Sequence, residues 1–320
     1  MTTLSNSKIR DLFAQADTIL LSAHIRPDGD AIGSLLGLGL ALRNAGKKVL
    51  MVLSDGIPAQ YHYLYGSNEV KKSVPDNLQF DLSIILDTSD LERTGGIFGN
   101  REITINIDHH TTNTLYAKYN FIDPQAVATC SLIAENIENW GLKIDDKVAS
   151  LLLTGILTDT IGFRTSNMGA KDLRIAAYLM EFGANLPELY KQALVNKSTD
   201  QLIYWGFALK KLEKKDRLCW TSLTLDDRKD AGYNGNDDAD LNTILSSNTD
   251  CDVSILFVEQ KNNHVKVSWR SNPGFNVANL AQFFGGGGHP AASGADIEGT
   301  MVEVQAKVFD KTLNFLKEKN

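Results

Sequence analysis

Three features predict a two-part α/β fold. Short apolar runs alternate with helical patterns through the first half of the chain, acidic and histidine clusters sit just past several of those runs, and the C-terminal third changes to strands, turns and glycines. The expected architecture is an N-terminal doubly wound, mainly parallel sheet domain followed by a smaller C-terminal α+β domain.

Thr18–Ala23, Val49–Leu53, Leu82–Leu86 and Ile103–Ile107 have strand length and are rich in Ile, Val and Leu, as strands buried on both faces are. Tyr119–Ile122 is a weaker fifth. Between them, Ala31–Ala45 reads as a helix stopped by Gly46, followed by helical patterns at Val127–Trp140 and Asp146–Thr158. Strands separated by helices pair in parallel through crossovers, which yields the doubly wound sheet. Ala170–Phe182 and Leu186–Leu194 continue as helices. The amphipathic stretch Thr199–Lys215, with Ser198 or Thr199 as N-cap, marks the domain junction. Beyond it, Leu218–Leu225, Asp252–Glu259 and Val265–Arg270 read as strands. The last two are joined around Asn262 and Asn263, residues that tolerate the positive φ of a tight hairpin. Glycines follow at 285–288, and Val302–Lys317 closes as a helix. The division is 1–192, a linker helix 193–215, and 216–320, with no internal repeat.

Composition is that of an ordinary folded protein, 43% hydrophobic and 22% charged with 7 prolines, so disorder is not expected. The N-terminal stretch has no basic region followed by an apolar core, and no apolar run approaches the roughly 20 residues of a membrane span. Cys130, Cys219 and Cys251 are widely spaced and read as separate thiols, which points to the cytoplasm. The net charge of −7, without a strong basic run, argues against a partner such as long duplex nucleic acid. A small anionic substrate remains compatible if it meets a local positive centre.

The chemistry lies at the strand ends. Thr18–Ala23 runs into His24, Asp28 and Asp30; Leu82–Leu86 runs into Asp87 and Asp90; Ile103–Ile107 runs into Asp108, His109 and His110. In an open parallel sheet the carboxyl ends of the strands form the ligand-binding edge, so these clusters converge whichever strand order holds. Asp159 adds a carboxylate at the C-terminal end of an apolar helix, where the helix dipole disfavours negative charge unless a cation compensates it. Singly, each residue has an ordinary explanation: a turn for Asp28, a helix cap for Asp30, a strand-end turn for Asp87, a core imidazole for His109, a frayed helix end for Asp159. Together, Asp28, Asp30, Asp87 and Asp159 match the charge of two divalent cations. The mixture of carboxylate and imidazole without thiolate suits manganese, iron, cobalt or zinc. Two such ions are a common device for in-line attack on phosphorus.

HIRPDGDA (His24–Ala31), LDTSD (Leu86–Asp90), DHH (Asp108–His110) and GILTDT (Gly155–Thr160) resemble, in order and spacing, the motifs of the DHH phosphoesterase family. SWRS (Ser268–Ser271) and GGGGHPAASG (Gly285–Gly294) resemble its associated C-terminal domain, and the overall size is similar to the nanoRNase and pAp-phosphatase subgroup. The resemblance implies one ion on His24, Asp28 and Asp87, and another on Asp30, Asp87, His109 and Asp159, with Asp87 bridging. It implies catalytic support from Asp108, which orients its histidine neighbours, and from His110, which faces substrate. Manganese is the implied metal, and the implied active site is the cleft between the domains.

In the second domain, Arg270 with Ser268 and Ser271 would clamp a phosphate. Gly286, Gly287 and Gly288 would let a backbone loop approach an anion, and His289 would reach a terminal phosphate or sugar. Asn276 and Arg164 are weaker candidates. The Asp90/Arg93 pair reads as structural. The implied enzyme hydrolyses short oligoribonucleotides and 3′-phosphoadenosine 5′-phosphate (pAp) to mononucleotides, and a homodimer is compatible with it. Cyclic di-AMP or pApA is the nearest rival substrate; an inorganic pyrophosphatase and a non-catalytic nucleotide sensor are rivals of other classes.

Overall fold

The structure is a computed structural model that describes residues 4–317. The chain forms two compact units, Met1–Asn196 and Lys197–Asn320. Among the described residues no helix is long and apolar enough to cross a membrane.

The first unit runs α1 (Asn6–Gln15), β1 (Thr18–Ala23), α2 (Gly29–Asn44), β2 (Lys48–Val52), β3 (Leu82–Leu86), β4 (Ile105–Asp108), β5 (Tyr119–Ile122), α3 (Thr129–Asn136), α4 (Asp146–Asp159), α5 (Ala170–Glu181) and α6 (Leu186–Tyr190). Its five strands lie in the order β2-β1-β3-β4-β5 and every pairing is parallel. Helices cover one face, where Ile19, Leu21, Ile84 and Ile107 meet Leu35, Leu152 and Ile156. The other face buries Leu20, Val52 and Ile85 under Phe98, Ile103 and Ala117, which come from irregular segments. β4 begins two residues later than expected, so Asp108 is the last residue of the strand and fully buried. The third helix is shorter than expected at both ends: Val127 lies in a bend, Ala128 is the extended N-cap, and the helix stops at Asn136 before a turn.

Glycine determines how closely two of those helices approach. A Cβ at Gly33 of α2 would stand 2.7 Å from the Leu151 carbonyl of α4. A Cβ at Gly155 of α4 would stand 2.2 Å from the Cys130 sulfur and 2.9 Å from Asp30 Oδ1. Hydrogen at these positions lets the backbones of α2 and α4 touch, and this brings the C-terminal end of α4 next to the N-terminal end of α2.

The second unit runs α7 (Thr199–Lys210), β6 (Glu213–Lys215), β7 (Leu218–Leu223), α8 (Leu225–Ala231), α9 (Leu241–Leu245), β8 (Val253–Gln260), β9 (His264–Ser271), α10 (Ala278–Phe283), β10 (Gly287–His289), β11 (Ala292–Glu298) and α11 (Met301–Lys317). The sheet order is β10-β11-β9-β8-β7-β6, antiparallel except for the β7–β8 pair. Alternation along β8 sends Ile255 and Phe257 into a core with Trp269, Leu280, Val304 and Val308, and Leu256 and Val258 into a second core with Tyr204, Ala208 and Leu241. The β8–β9 turn has Asn262 at φ 62° and Asn263 at φ 58°, as the sequence predicts.

Three expectations change. Thr199–Lys215 is not one helix: it ends at Lys210, and Glu213–Lys215 pairs with β7 as a charged edge strand, because sheet pairing overrides weak local helix preference. The glycine run is not an open loop, since Gly287–His289 forms an edge strand against β11. A Cβ at Gly286 would lie 2.1 Å from the Gly294 carbonyl, so the chain reaches that edge only as glycine. Cys219 and Cys251 are not far apart but side by side, 32 residues apart in sequence with Cα atoms 5.9 Å apart, while Cys130 is free and buried. The parallel β7–β8 register creates that proximity, which linear spacing conceals.

Candidate metal centre

In the order β2-β1-β3-β4-β5, the connections leaving β1 and β3 go to opposite sides, which opens a crevice at their carboxyl ends. His24 directly follows β1 and Asp87 directly follows β3. Asp87 takes φ 51°, a left-handed conformation that Asp tolerates better than most residues and that is a recurrent mark of functional strain. Asp28 is the N-cap of α2, its Oδ1 accepting from the Asp30 and Ala31 amides at 3.1 Å. One carboxylate oxygen does the capping assigned by sequence to Asp30, and the other faces His24.

The expected ligands meet. His24 Nε2 stands 3.8 Å from Asp28 Oδ2 and 3.5 Å from Asp87 Oδ2. His109 Nε2 stands 3.6 Å from Asp87 Oδ1, 3.5 Å from Asp159 Oδ2 and 3.9 Å from Asp30 Oδ2. These separations are too long for hydrogen bonds. They suit donors sharing an ion, since ligands each about 2.1 Å from a common centre lie about 3–3.5 Å apart. The structure holds groups suited to divalent ions in His24–Asp28–Asp87, Asp30–His109–Asp159 and Asp87–His109–His110. Asp87 directs one oxygen to each histidine.

The surrounding bonds orient the donors. His24 Nδ1 lies 2.8 Å from the Ile25 carbonyl and His109 Nδ1 3.2 Å from the Ala126 carbonyl. A carbonyl only accepts, so Nδ1 of His109 carries a hydrogen, and at His24 the 2.8 Å carbonyl contact outweighs the 3.2 Å approach of Arg93 to the same nitrogen; each Nε2 is the ring nitrogen turned to the carboxylates, open to an ion once its own proton leaves. The amides of Thr129 and Cys130, at the N-terminus of α3, donate to the two oxygens of Asp30 at 2.6 and 2.9 Å. The Thr129 hydroxyl donates to Asp87 Oδ1 at 3.0 Å. Asp108 accepts from His110 Nδ1 at 2.7 Å and from the Asn113 amide.

The protein groups alone carry frustrated charge. Burial, reinforced by the charge of Asp87, pushes the Asp30 carboxyl up to about 7. Burial and the charge of Asp30 push Asp159 well up. Burial disfavours charge on His24 and His109, but the neighbouring carboxylates of Asp28 and Asp87 raise His24 to about 10, and the charges of Asp30, Asp87 and Asp159 raise His109 to about 9. Protons here stand where cations would, which the donor chemistry fits.

Thr129 and Cys130 were missed in the sequence because the helix was expected to start at Val127, which hides their position in its first turn. Arg93 was misread: its backbone N–H, not its side chain, bonds Asp90, and its guanidinium reaches within 3.2 Å of His24 Nδ1. Arg164 is exposed and donates to the Ile161 carbonyl. In the second unit, Arg270 and Ser268 share a face of β9, while Ser271 donates to the Phe275 and Pro290 carbonyls. Asn276 accepts from the Ala278 amide at the start of α10. Gly286 precedes β10, which holds Gly287, Gly288 and His289.

Comparison with known proteins agrees with these motifs. The DHH family, N-terminal domain, matches residues 18–156, and the DHHA1 domain matches residues 221–319. A Thermus thermophilus protein named bifunctional oligoribonuclease and PAP phosphatase NrnA is 31% identical over 94% of this chain and 89% of its own length. The Bacillus subtilis protein of the same name is 29% identical over 88% of this chain and 90% of its own. A crystal structure of an exopolyphosphatase-related protein from Bacteroides fragilis superposes with TM-score 0.89 at 27% identity, covering 98% of this chain and 96% of that one.

Proposed function

This chain belongs to the DHH family of hydrolases acting on phosphoester bonds, and from that premise we propose that it is a two-metal enzyme that cleaves short oligoribonucleotides and pAp to mononucleotides. The observation that carries the two-ion reading is Asp87, whose oxygens face His24 at 3.5 Å and His109 at 3.6 Å. In this reading His24, Asp28 and Asp87 hold one ion, and Asp30, Asp87, His109 and Asp159 hold the other. Bound there, two divalent ions, which we take to be manganese, supply Lewis-acid stabilisation and an activated water for in-line displacement at phosphorus.

The protein's own groups do the remaining work. Thr129 and the α3 amides keep Asp87 and Asp30 oriented for their donors. Asp108 holds His110 by Nδ1 and favours its charged form against burial, so His110 is suited to donate a hydrogen bond to a phosphoryl oxygen or a proton to the leaving group. The C-terminal part (216–320 in the sequence division, after a catalytic 1–192 and a linker 193–215) supplies recognition through Arg270, Ser268, Gly286 and the Gly287–His289 strand. The names of the two curated relatives support the substrate class. The acidic net charge favours short oligonucleotides over long duplexes, and we place the protein in the cytoplasm. A homodimer is compatible.

The test is turnover by the purified protein with manganese, on RNA dinucleotides, pAp, cyclic di-AMP, pyrophosphate and polyphosphate. Preference for dinucleotides and pAp is expected. Turnover of pyrophosphate or polyphosphate alone would refute the nucleotide assignment, and nucleotide binding without any turnover would favour a sensor.

A further inference from the structure

Lys266, Ser268 and Arg270 alternate along β9 and share a face, while Val265, Val267 and Trp269 fill the core on the other. Across from them, β11 places Ala292 opposite Arg270 and Gly294 opposite Ser268, and β10 places Gly287 opposite Gly294. Those three positions carry nothing larger than a methyl group, and His289, opposite Ala292 on β10, is the next residue on the same face. A cavity of ≈ 330 Å³ opens over it, walled by Asp238, Asn242 and Thr243 from the segment around α9.

The floor of this cavity holds unspent hydrogen-bonding capacity. Ser268 is 6% exposed, and among the described residues its hydroxyl has no partner. Arg270 gives one N–H to its neighbouring carbonyl of Trp269 at 2.9 Å, which leaves most of the guanidinium fork free. Burial lowers the Arg270 pKa and the charge of Asp238 works against that, yet no ion pair closes between the two. The opposite wall is of another kind. Asp238 accepts from the Asn242 amide nitrogen, and Asn242 is itself 6% exposed, so this bond consumes a donor and leaves carboxylate and amide oxygens. One side of the cavity is cationic and donating; the other is anionic and accepting.

A ligand that satisfies both sides carries an anion at one end and hydrogen-bond donors at the other. A nucleoside monophosphate unit does, through its phosphate and through its ribose hydroxyls or exocyclic amine. Orthophosphate, pyrophosphate and polyphosphate do not: they offer few donors and set negative charge against Asp238. We propose that Asp238 and Asn242 form a specificity-determining wall that admits nucleotides to the Arg270 cavity and rejects inorganic phosphate chains. This rests on the nucleotide reading above, through Arg270 as the phosphate partner.

Asp238→Asn tests the wall directly, because the amide oxygen still accepts from Asn242 while the charge is gone. In the manganese-loaded full-length protein, kcat/KM for pAp should fall about tenfold, chiefly through KM, with no matching fall for tripolyphosphate. The 2′-deoxy and inosine analogues of pAp show whether ribose or base supplies the donor. Wild-type discrimination against at least one is expected to disappear in the variant, and no discrimination against either overturns the proposal. Arg270→Ala separates the two readings. If it leaves the KM for pAp unchanged, the nucleotide reading of the cavity fails. If it raises KM while Asp238→Asn leaves the pAp-to-tripolyphosphate ratio unchanged, the wall alone is refuted. Should Asp238→Asn not fold, inhibition of wild-type pAp hydrolysis decides: AMP must inhibit at least about tenfold more strongly than orthophosphate in excess manganese, and equal inhibition overturns the proposal.

Discussion

Replacing Thr129 by valine removes one hydroxyl from beneath the centre and keeps the side chain's shape. In the structure that hydroxyl donates to Asp87 Oδ1 at 3.0 Å, with Thr129 fully buried and Asp87 2% exposed. No solvent is at hand to replace the bond, and the acceptor is the carboxylate read as shared by both ions. A hydrogen bond to a charged group contributes about 1.5–3 kcal/mol. At about 1.4 kcal/mol per decade, its loss amounts to about 10- to 100-fold in equilibrium terms. Partners that orient metal ligands have effects of that size on metal affinity. Thr129→Val is therefore expected to weaken manganese binding about 10- to 100-fold by calorimetric titration, with a small change in the melting temperature of the metal-free protein, and Thr129→Ser should restore most of the affinity. Affinity within about twofold of wild type in the valine variant would refute the idea that this hydroxyl preorganises Asp87.

Asp87→Asn keeps a residue that tolerates the left-handed backbone but halves the carboxylate's donor capacity; activity should fall by a factor of about 10² or more at fixed manganese, and a near-normal rate would contradict bridging. Gly155→Ala drives a methyl group to within 2.2 Å of the Cys130 sulfur and 2.9 Å of Asp30 Oδ1. A stability loss of about 1–3 kcal/mol or more in denaturant titration is expected, together with weakened metal binding. Metal binding should also release protons. His24 at about 10 and His109 at about 9 are raised, so both hold protons at pH 8 without metal, and Asp30 at about 7 joins them as pH falls. Affinity is therefore greatest at high pH and lost on acidification, with protons released on binding at pH 8 and more of them below pH 7, read by calorimetry in buffers of different ionisation enthalpy. A pH-independent affinity would be evidence against a proton-filled apo site. Arg270→Ala should raise KM for pAp and barely change turnover of a generic phosphodiester; equal effects on both would remove its recognition role.

Much of the first unit was legible because its signals are local. Five apolar runs of strand length became the five strands, and turn and cap residues such as Asn262, Asn263 and Ser198 took the conformations their chemistry favours. The candidate ligand set was legible for a topological reason: residues that follow parallel strands share one sheet edge whatever the strand order, which brings His24, Asp87 and His109 to the same edge. Strand order itself was not legible, and although Asp159 was singled out from its helix end, the packing that carries it to the site was not. Asp159 reaches His109 because Gly33 and Gly155 let α2 and α4 approach, a contact between residues far apart in the chain.

The remaining features required the fold for the same reason. Thr129 under Asp87, the α3 amides on Asp30, the Cys219–Cys251 pair and the acidic wall facing Arg270 all join segments whose spacing carries no period and no motif. By itself the sequence determined which chemical groups this protein brings to its sheet edge, because side-chain type and strand-end position are written locally. Only the tertiary structure decided how those groups are aimed and what stands behind them, because hydrogen-bond direction and close packing depend on neighbours the chain meets only after folding.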